Sequence, residues 1–325
     1  MRRRDFITLM VAAALWPYAA HAQSMPTIGV LNSRAPGESS RLLEAFRQGL
    51  KEKGFIEGQN VKIEYRFANN HNDRLPALAA DLVRRQVTVI VSMAGTPGAL
   101  AAKSATSLIP IVFQAGVDPV AAGLVTSLSR PGGNLTGVSQ LLSSTFAKQI
   151  ELLHEVVPKA GTIALLVNPT NQLHSKALLT ELEGGARSLG LNLQFVRAST
   201  PGDFEKAFAS ALELRAGGLV IGPDIFFLAQ RDQLVALAAQ HSLPTIYPWR
   251  EGATAGGLMS YGSSQTDTYR QLGIYTARVL KGEKPADLPV QQSTKVELII
   301  NLKTAKAFNL TVPNTVIGRA DEVIE

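Results

Sequence analysis

No cysteine occurs among the 325 residues. That absence excludes disulfides, iron–sulfur clusters, thiolate zinc sites, cysteine nucleophiles and an amino-terminal cysteine for a lipid anchor. Histidine is sparse too, with five residues and no pair at H-E-x-x-H or another ligand spacing, so neither a histidine metal site nor a triad base is expected. No G-x-G-x-x-G follows a strand, and no G-x-x-x-x-G-K-[ST] or G-x-S-x-G is present, which removes the usual signals for nucleotide binding and serine hydrolysis. After the amino terminus no run reaches 18 consecutive apolar residues, so no membrane span is expected there. Lysine and arginine (32) outnumber aspartate and glutamate (26), but they are scattered and form no block of the kind that grips nucleic acid. The expectation is a chain without catalytic residues, metal or cofactor.

What is present starts at the amino terminus. Arg2, Arg3 and Arg4 precede an apolar run from Phe6 to Ala20, and Ala20-His21-Ala22 supplies a small-x-small cleavage pattern. This reads as an export signal over residues 1–22, with a periplasmic destination by the Sec route or, given Arg3-Arg4-Asp5-Phe6-Ile7, the twin-arginine route. The run is about 15 residues long, short of the roughly 20 that cross a bilayer. Its removal leaves about 300 residues and takes three arginines and one aspartate from a net charge of +6. That length suits two domains of about 150 residues each.

From residue 26 short apolar runs alternate with amphipathic stretches, the pattern of parallel sheets covered by helices, so the fold class is α/β. Expected strands are Thr27 to Leu31, Val61 to Arg66, Val87 to Ser92, Pro110 to Phe113, Leu135 to Ser139, Thr162 to Val167, Leu191 to Val196, Leu219 to Ile221 and Leu243 to Tyr247. Leu75, Leu78, Ala79, Leu82 and Val83 make a helical stripe behind Asp73, as Phe204, Ala207, Phe208, Ala211 and Leu212 do behind Asp203. Leu42, Leu43, Phe46 and Leu50 repeat the spacing and stop before Gly54, placed to end a helix. Turn-rich segments suggest crossings near residues 140–145, near 252–257 before a strand at Leu258 to Tyr261, and within Lys281 to Pro289 before a strand at Val296 to Leu302. The expected division is 23–140 plus 258–290 for lobe 1 and 141–257 plus 291–325 for lobe 2. Two sequential domains with one linker fit the spacing equally well.

In open parallel sheets ligands bind beyond the carboxyl ends of the strands, so the loops there hold the candidate site. In the first half these offer Ser33, Gly95, Thr96, Gln114, Gly116, Asp118 and Gln140. Gly95-Thr96-Pro97 and Gly116-Val117-Asp118-Pro119 look like helix starts whose free N–H groups suit a carboxylate at Thr96, while Asp118 suits an ammonium group. The second half offers Asn168, Asn171 and Asp224 as hydrogen-bonding groups, and Tyr247, Trp249 and Tyr261 as apolar surface. Capping by Thr96 and Asp118, and packing by Trp249, are the competing structural explanations.

Gly95-Thr96-Pro97, Val117-Asp118-Pro119-Val120, the run Arg130-Pro131-Gly132-Gly133-Asn134-Leu135-Thr136-Gly137-Val138, Asn168-Pro169 and the segment Leu298 to Leu310, with the export signal, carry a family resemblance. Together they resemble the ABC-transporter substrate-binding family related to tryptophan and tyrosine uptake receptors, over essentially the whole mature chain. Gln140 and Thr170-Asn171 stand where relatives often carry an acidic residue. The resemblance implies a type I periplasmic-binding-protein fold: two doubly wound parallel-sheet lobes joined by a three-segment hinge. It implies a monomeric solute receptor, not an enzyme, that closes on an amino acid or related carboxylate and presents it to an ABC permease in the inner membrane. A sensor subunit with the same cleft would differ in its pull-down partner, and an exported hydrolase would turn its ligand over.

Overall fold

The computed structural model describes residues 25–140, 142–171 and 176–325, and the expected export signal lies outside them. In chain order the first elements are β1 (Thr27–Asn32), α1 (Ser40–Glu52), β2 (Lys62–Phe67), α2 (Leu75–Arg84), β3 (Val89–Met93), α3 (Gly95–Ala105), β4 (Ile111–Ala115) and β5 (Leu135–Ser139). Then come α4 (Leu142–Val156), β6 (Thr162–Val167), α5 (Lys176–Ser188), β7 (Asn192–Arg197), α6 (Phe204–Glu213), β8 (Leu219–Ile221), α7 (Ile225–Ala229), α8 (Arg231–Gln240), β9 (Thr245–Tyr247), α9 (Arg250–Thr254) and β10 (Met259–Ser263). The chain closes with α10 (Gln265–Leu280), β11 (Gln291–Gln292), β12 (Val296–Asn301), α11 (Leu302–Ala307), α12 (Asn314–Ile317) and β13 (Glu322–Ile324).

These elements build two sheets. The first has the order β11-β5-β4-β3-β1-β2, parallel throughout. The second has the order β13-β12-β10-β9-β8-β6-β7, parallel except where β12 runs against β10. Strand β3 is buried along its whole length, which is why Val89-Ile90-Val91 shows no polar alternation: helices cover both of its faces. On α2 the stripe Leu75, Ala79, Leu82 faces the sheet, and the complete burial of Leu82 contributes about 2 kcal/mol. Helix α1 stops as its sequence suggests, because Gly54 adopts a φ of +90° and lets the Phe55 N–H return to the Leu50 carbonyl at 3.0 Å. Before α6 the Thr200 and Asp203 side chains cap each other's backbone N–H groups in a reciprocal box.

The chain passes between the sheets three times: after β5, between β10 and α10, and between β11 and β12. Two of these crossings differ from expectation. The segment Leu258 to Tyr261 does not return to the first lobe, since β10 is hydrogen-bonded between β9 and β12, with Met259 beside Ile246 and opposite Ile300. The return comes at Ser264, whose hydroxyl caps α10. Residues 281–289 do not cross either. They stay against the first lobe, where the Thr136 hydroxyl donates to the Leu288 carbonyl at 2.6 Å and the Val290 N–H donates to the Leu128 carbonyl at 2.8 Å. Residues 291–292, expected in lobe 2, pair with β5 in the first sheet as β11, so the third crossing falls just beyond them.

Candidate functional site

The carboxyl ends of the parallel strands bring most of the expected residues to the two mouths. At the end of β1 the Asn32 side chain accepts the Arg34 N–H at 3.0 Å and donates to the Ser39 hydroxyl at 3.1 Å, which folds the turn back over the sheet. Ser33 and Arg34 are thereby buried, and the Ser33 carbonyl accepts the Asn70 N–H at 2.6 Å. After β3, Gly95 takes a φ of +62° to open α3, and the Thr96 hydroxyl accepts the Gly116 N–H at 3.3 Å, tying the loops after β3 and β4 together. Thr96 therefore spends its oxygen on the neighbouring loop.

Gln114 and Gln140 meet at the first crossing. The Gln114 amide donates to the side-chain carbonyls of Gln140 at 3.1 Å and Gln265 at 3.3 Å, and the Gln140 amide donates to Thr268 at 3.2 Å. The Gln140 backbone belongs to both lobes, because its N–H donates to Ala115 at 2.9 Å and its carbonyl accepts the Ser263 hydroxyl at 3.3 Å. All four side chains are buried, so these bonds satisfy groups that no water reaches. Among the described residues the Gln114 Oε1 atom is buried without a partner.

Asp118 differs from its expected setting. No helix follows Pro119: residues 119–123 form turns, Asp118 is exposed, and its Oδ1 accepts the Val120 N–H at 2.8 Å. The glycine-polar-proline pattern thus makes an Asx turn here, and the side chain that caps it does not present a buried charge.

In the second lobe Asn168 accepts the N–H and hydroxyl of Thr170 at 3.0 and 2.8 Å. Asn171 donates to Asp224 Oδ2 at 2.8 Å, while Asp224 Oδ1 accepts the Phe226 N–H at 2.7 Å and caps α7. Both oxygens of this buried carboxylate are engaged. The Tyr247 ring lies so close to α9 and the turn after it that a Cβ at Gly252 or Gly257 would sit 2.2 or 2.4 Å from it. Burial pushes the Tyr247 phenol far above its ordinary pKa, and its hydroxyl has no partner among the described residues. Trp249, half-buried just before α9, borders a small cavity with Tyr247, Ile221, Phe227, Leu228 and Pro248. Tyr261 does not share this wall. It packs with Leu165, Val167 and Leu298 on the opposite face of the second sheet from Tyr247.

Two residues outside the expected set link the lobes. Arg34 Nη1 lies 3.5 Å from Glu251 Oε1, the former beyond β1 and the latter on α9. Arg34 directly follows Ser33, and Glu251 stands two residues after Trp249, so a charge beside each strand-end loop was the available signal. Among the described residues no three His, Cys, Asp or Glu side chains gather as a metal site, and no helix is long and apolar enough to cross a membrane.

The model of the ABC transporter substrate binding protein family matches residues 38–324. The chain belongs to that family. It is 30% identical over 267 residues to the tyrosine-binding protein of Clostridioides difficile (strain R20291), covering 82% of this chain and 76% of that one. An ABC domain from Streptococcus pneumonia in complex with L-Trp superposes with a TM-score of 0.82 at 26% identity, over 93% of this chain and all of the other. The ligand-free, open structure of a substrate binding protein with adhesive properties from Clostridium difficile is also 26% identical, with a TM-score of 0.70 over 92% of this chain and 99% of that one. As a substrate-binding protein the chain has the fold its family implies, two parallel-sheet α/β lobes.

Proposed function

We propose that this protein is the periplasmic receptor of an ABC importer and that it closes its lobes on an aromatic L-amino acid, which it hands to an inner-membrane permease. The family match over residues 38–324 carries this reading. The names of two relatives, one tyrosine-binding and one held with L-Trp, support the ligand class. At equal identity, the higher TM-score with the L-Trp complex than with the open structure supports a closed arrangement, as does the contact of Arg34 with Glu251 across the cleft. A hinged receptor of this kind binds without transforming its ligand, because ligand contacts in both lobes exist only when the lobes are shut.

Calorimetric titration of the mature protein with the common L-amino acids tests the reading. Tyrosine or tryptophan should bind one to one, with a Kd of about 1 µM or tighter, equivalent to roughly −8 kcal/mol. The absence of binding by every amino acid would overturn it. Loss of labelled amino-acid uptake on deleting the gene tests the importer role separately.

A further inference from the structure

We propose that Arg34 and Glu251, one from each lobe, hold the two charged ends of a zwitterionic solute, the guanidinium taking its carboxylate and the Glu251 carboxylate taking its ammonium group. This rests on the amino-acid reading above and assigns the charges within it.

Arg34 is 6% exposed, yet among the described residues its guanidinium donates no hydrogen bond, and its one ionic neighbour is Glu251 at 3.5 Å. A guanidinium carries five N–H donors in a planar fork, and burial strips them of water without compensation unless a partner supplies acceptors. Among the described residues the other oxygen of Glu251, Oε2, is buried without a partner. Two other shielded arginines make closer contacts. Arg250 reaches Glu297 at 2.7 Å and Glu322 at 2.5 Å, and Arg66 reaches Asp81 at 2.7 Å, the lengths of charge-assisted hydrogen bonds. Arg34 and Glu251 sit opposite each other at a longer separation, each with bonding capacity to spare.

That spare capacity matches an amino acid. The fork of Arg34 fits a carboxylate through two parallel N–H···O bonds, and Glu251 offers oxygen acceptors to an ammonium group. The other carboxylates expected at the mouths are committed, Asp224 to Asn171 and the α7 cap, and Asp118 to an exposed turn. Because the two charges belong to different lobes, a zwitterion meets both only in the closed form, and its binding energy is drawn on to hold the lobes together.

The test compares three probes by calorimetry on the mature protein: L-tyrosine, tyramine, which lacks the carboxylate, and 3-(4-hydroxyphenyl)propanoate, which lacks the ammonium group. The unaltered protein should prefer tyrosine over either by about thirtyfold or more, the scale of stranding a buried charge. Arg34→Met should abolish the preference over tyramine and keep the preference over the propanoate, and Glu251→Gln should do the reverse. Arg34→Lys, which keeps the charge and loses the fork, should retain part of the preference over tyramine, and thermal melts establish that each variant is folded. Equal weakening of all three probes by both variants would mark the pair as a closure contact alone and overturn the proposal. So would preferences that the variants leave unchanged, whereas failure of the unaltered protein to bind any amino acid overturns the receptor reading itself and the clamp with it.

Discussion

Gly49 of α1 and Gly273 of α10 meet with no side chain between them. A Cβ on Gly49 would stand 2.0 Å from the Arg270 carbonyl oxygen, and one on Gly273 would stand 2.2 Å from the Phe46 carbonyl oxygen. The helix that returns to the first lobe after the second crossing therefore lies backbone to backbone on the first helix of the chain. Gly49→Ala or Gly273→Ala must push the pair apart, and each should lower unfolding stability by about 2 kcal/mol or more in urea titration. Stability within error of the parent would mean that the crossing is looser than these distances state.

Acid should weaken the fold over a defined window. The backbone N–H groups of Ser199 and Thr200 hold the Asp203 carboxyl down at about 2, and Arg66 together with Arg85 does the same for Asp81. Since both pKa values are depressed in the folded chain, these groups contribute stability that is complete above the ordinary value of 3.8 and is lost as pH falls towards 2. Melting temperatures should drop across that interval. Asp203→Asn should melt lower at pH 5 and show a shallower acid limb, and a limb as steep as the parent's would remove Asp203 from the account.

The buried amides at the first crossing should be intolerant of an apolar replacement. Gln140→Met strands donors and acceptors of Gln114, Gln265 and Thr268 that no solvent can reach. The expected loss is about 1–3 kcal/mol in chemical denaturation.

Trp249 is the one tryptophan after residue 22, and among the described residues its indole N–H is buried without a partner next to the helix that carries Glu251. Ligand-driven closure should change its fluorescence along a saturable curve with the calorimetric Kd. An emission spectrum constant through saturation would show that α9 does not respond to the ligand.

Nearly every long strand could be read from the chain, because a buried parallel strand such as Val89–Met93 is a plain apolar run between turn signals. The two short edge strands could not. β11 is two exposed glutamines and β13 is three residues of which none is fully buried, so neither carries a readable hydrophobic period. Apolar alternation also says nothing about which sheet a strand joins, so the run at Leu258 to Tyr261 does not reveal that β10 stays in the second sheet. The capping pattern Ser264-x-x-Asp267 marked the true return. At the mouths, loop position was legible but side-chain use was not: Asp118 turns inward on its own loop and Thr96 bonds to the loop beside it. Arg34 and Glu251 acquire meaning only once two distant segments face each other.

The order in which the strands are threaded has a consequence for biogenesis. The first sheet gains its edge strand β11 only after residue 290, and the second gains β12 and β13 later still. A nascent chain emerging from the ribosome thus holds a first sheet that lacks one edge strand and a second that lacks its last two, with contacts of long sequence separation still outstanding. Such a topology matures late and slowly, and it exposes unpaired strand edges to chaperones for most of synthesis.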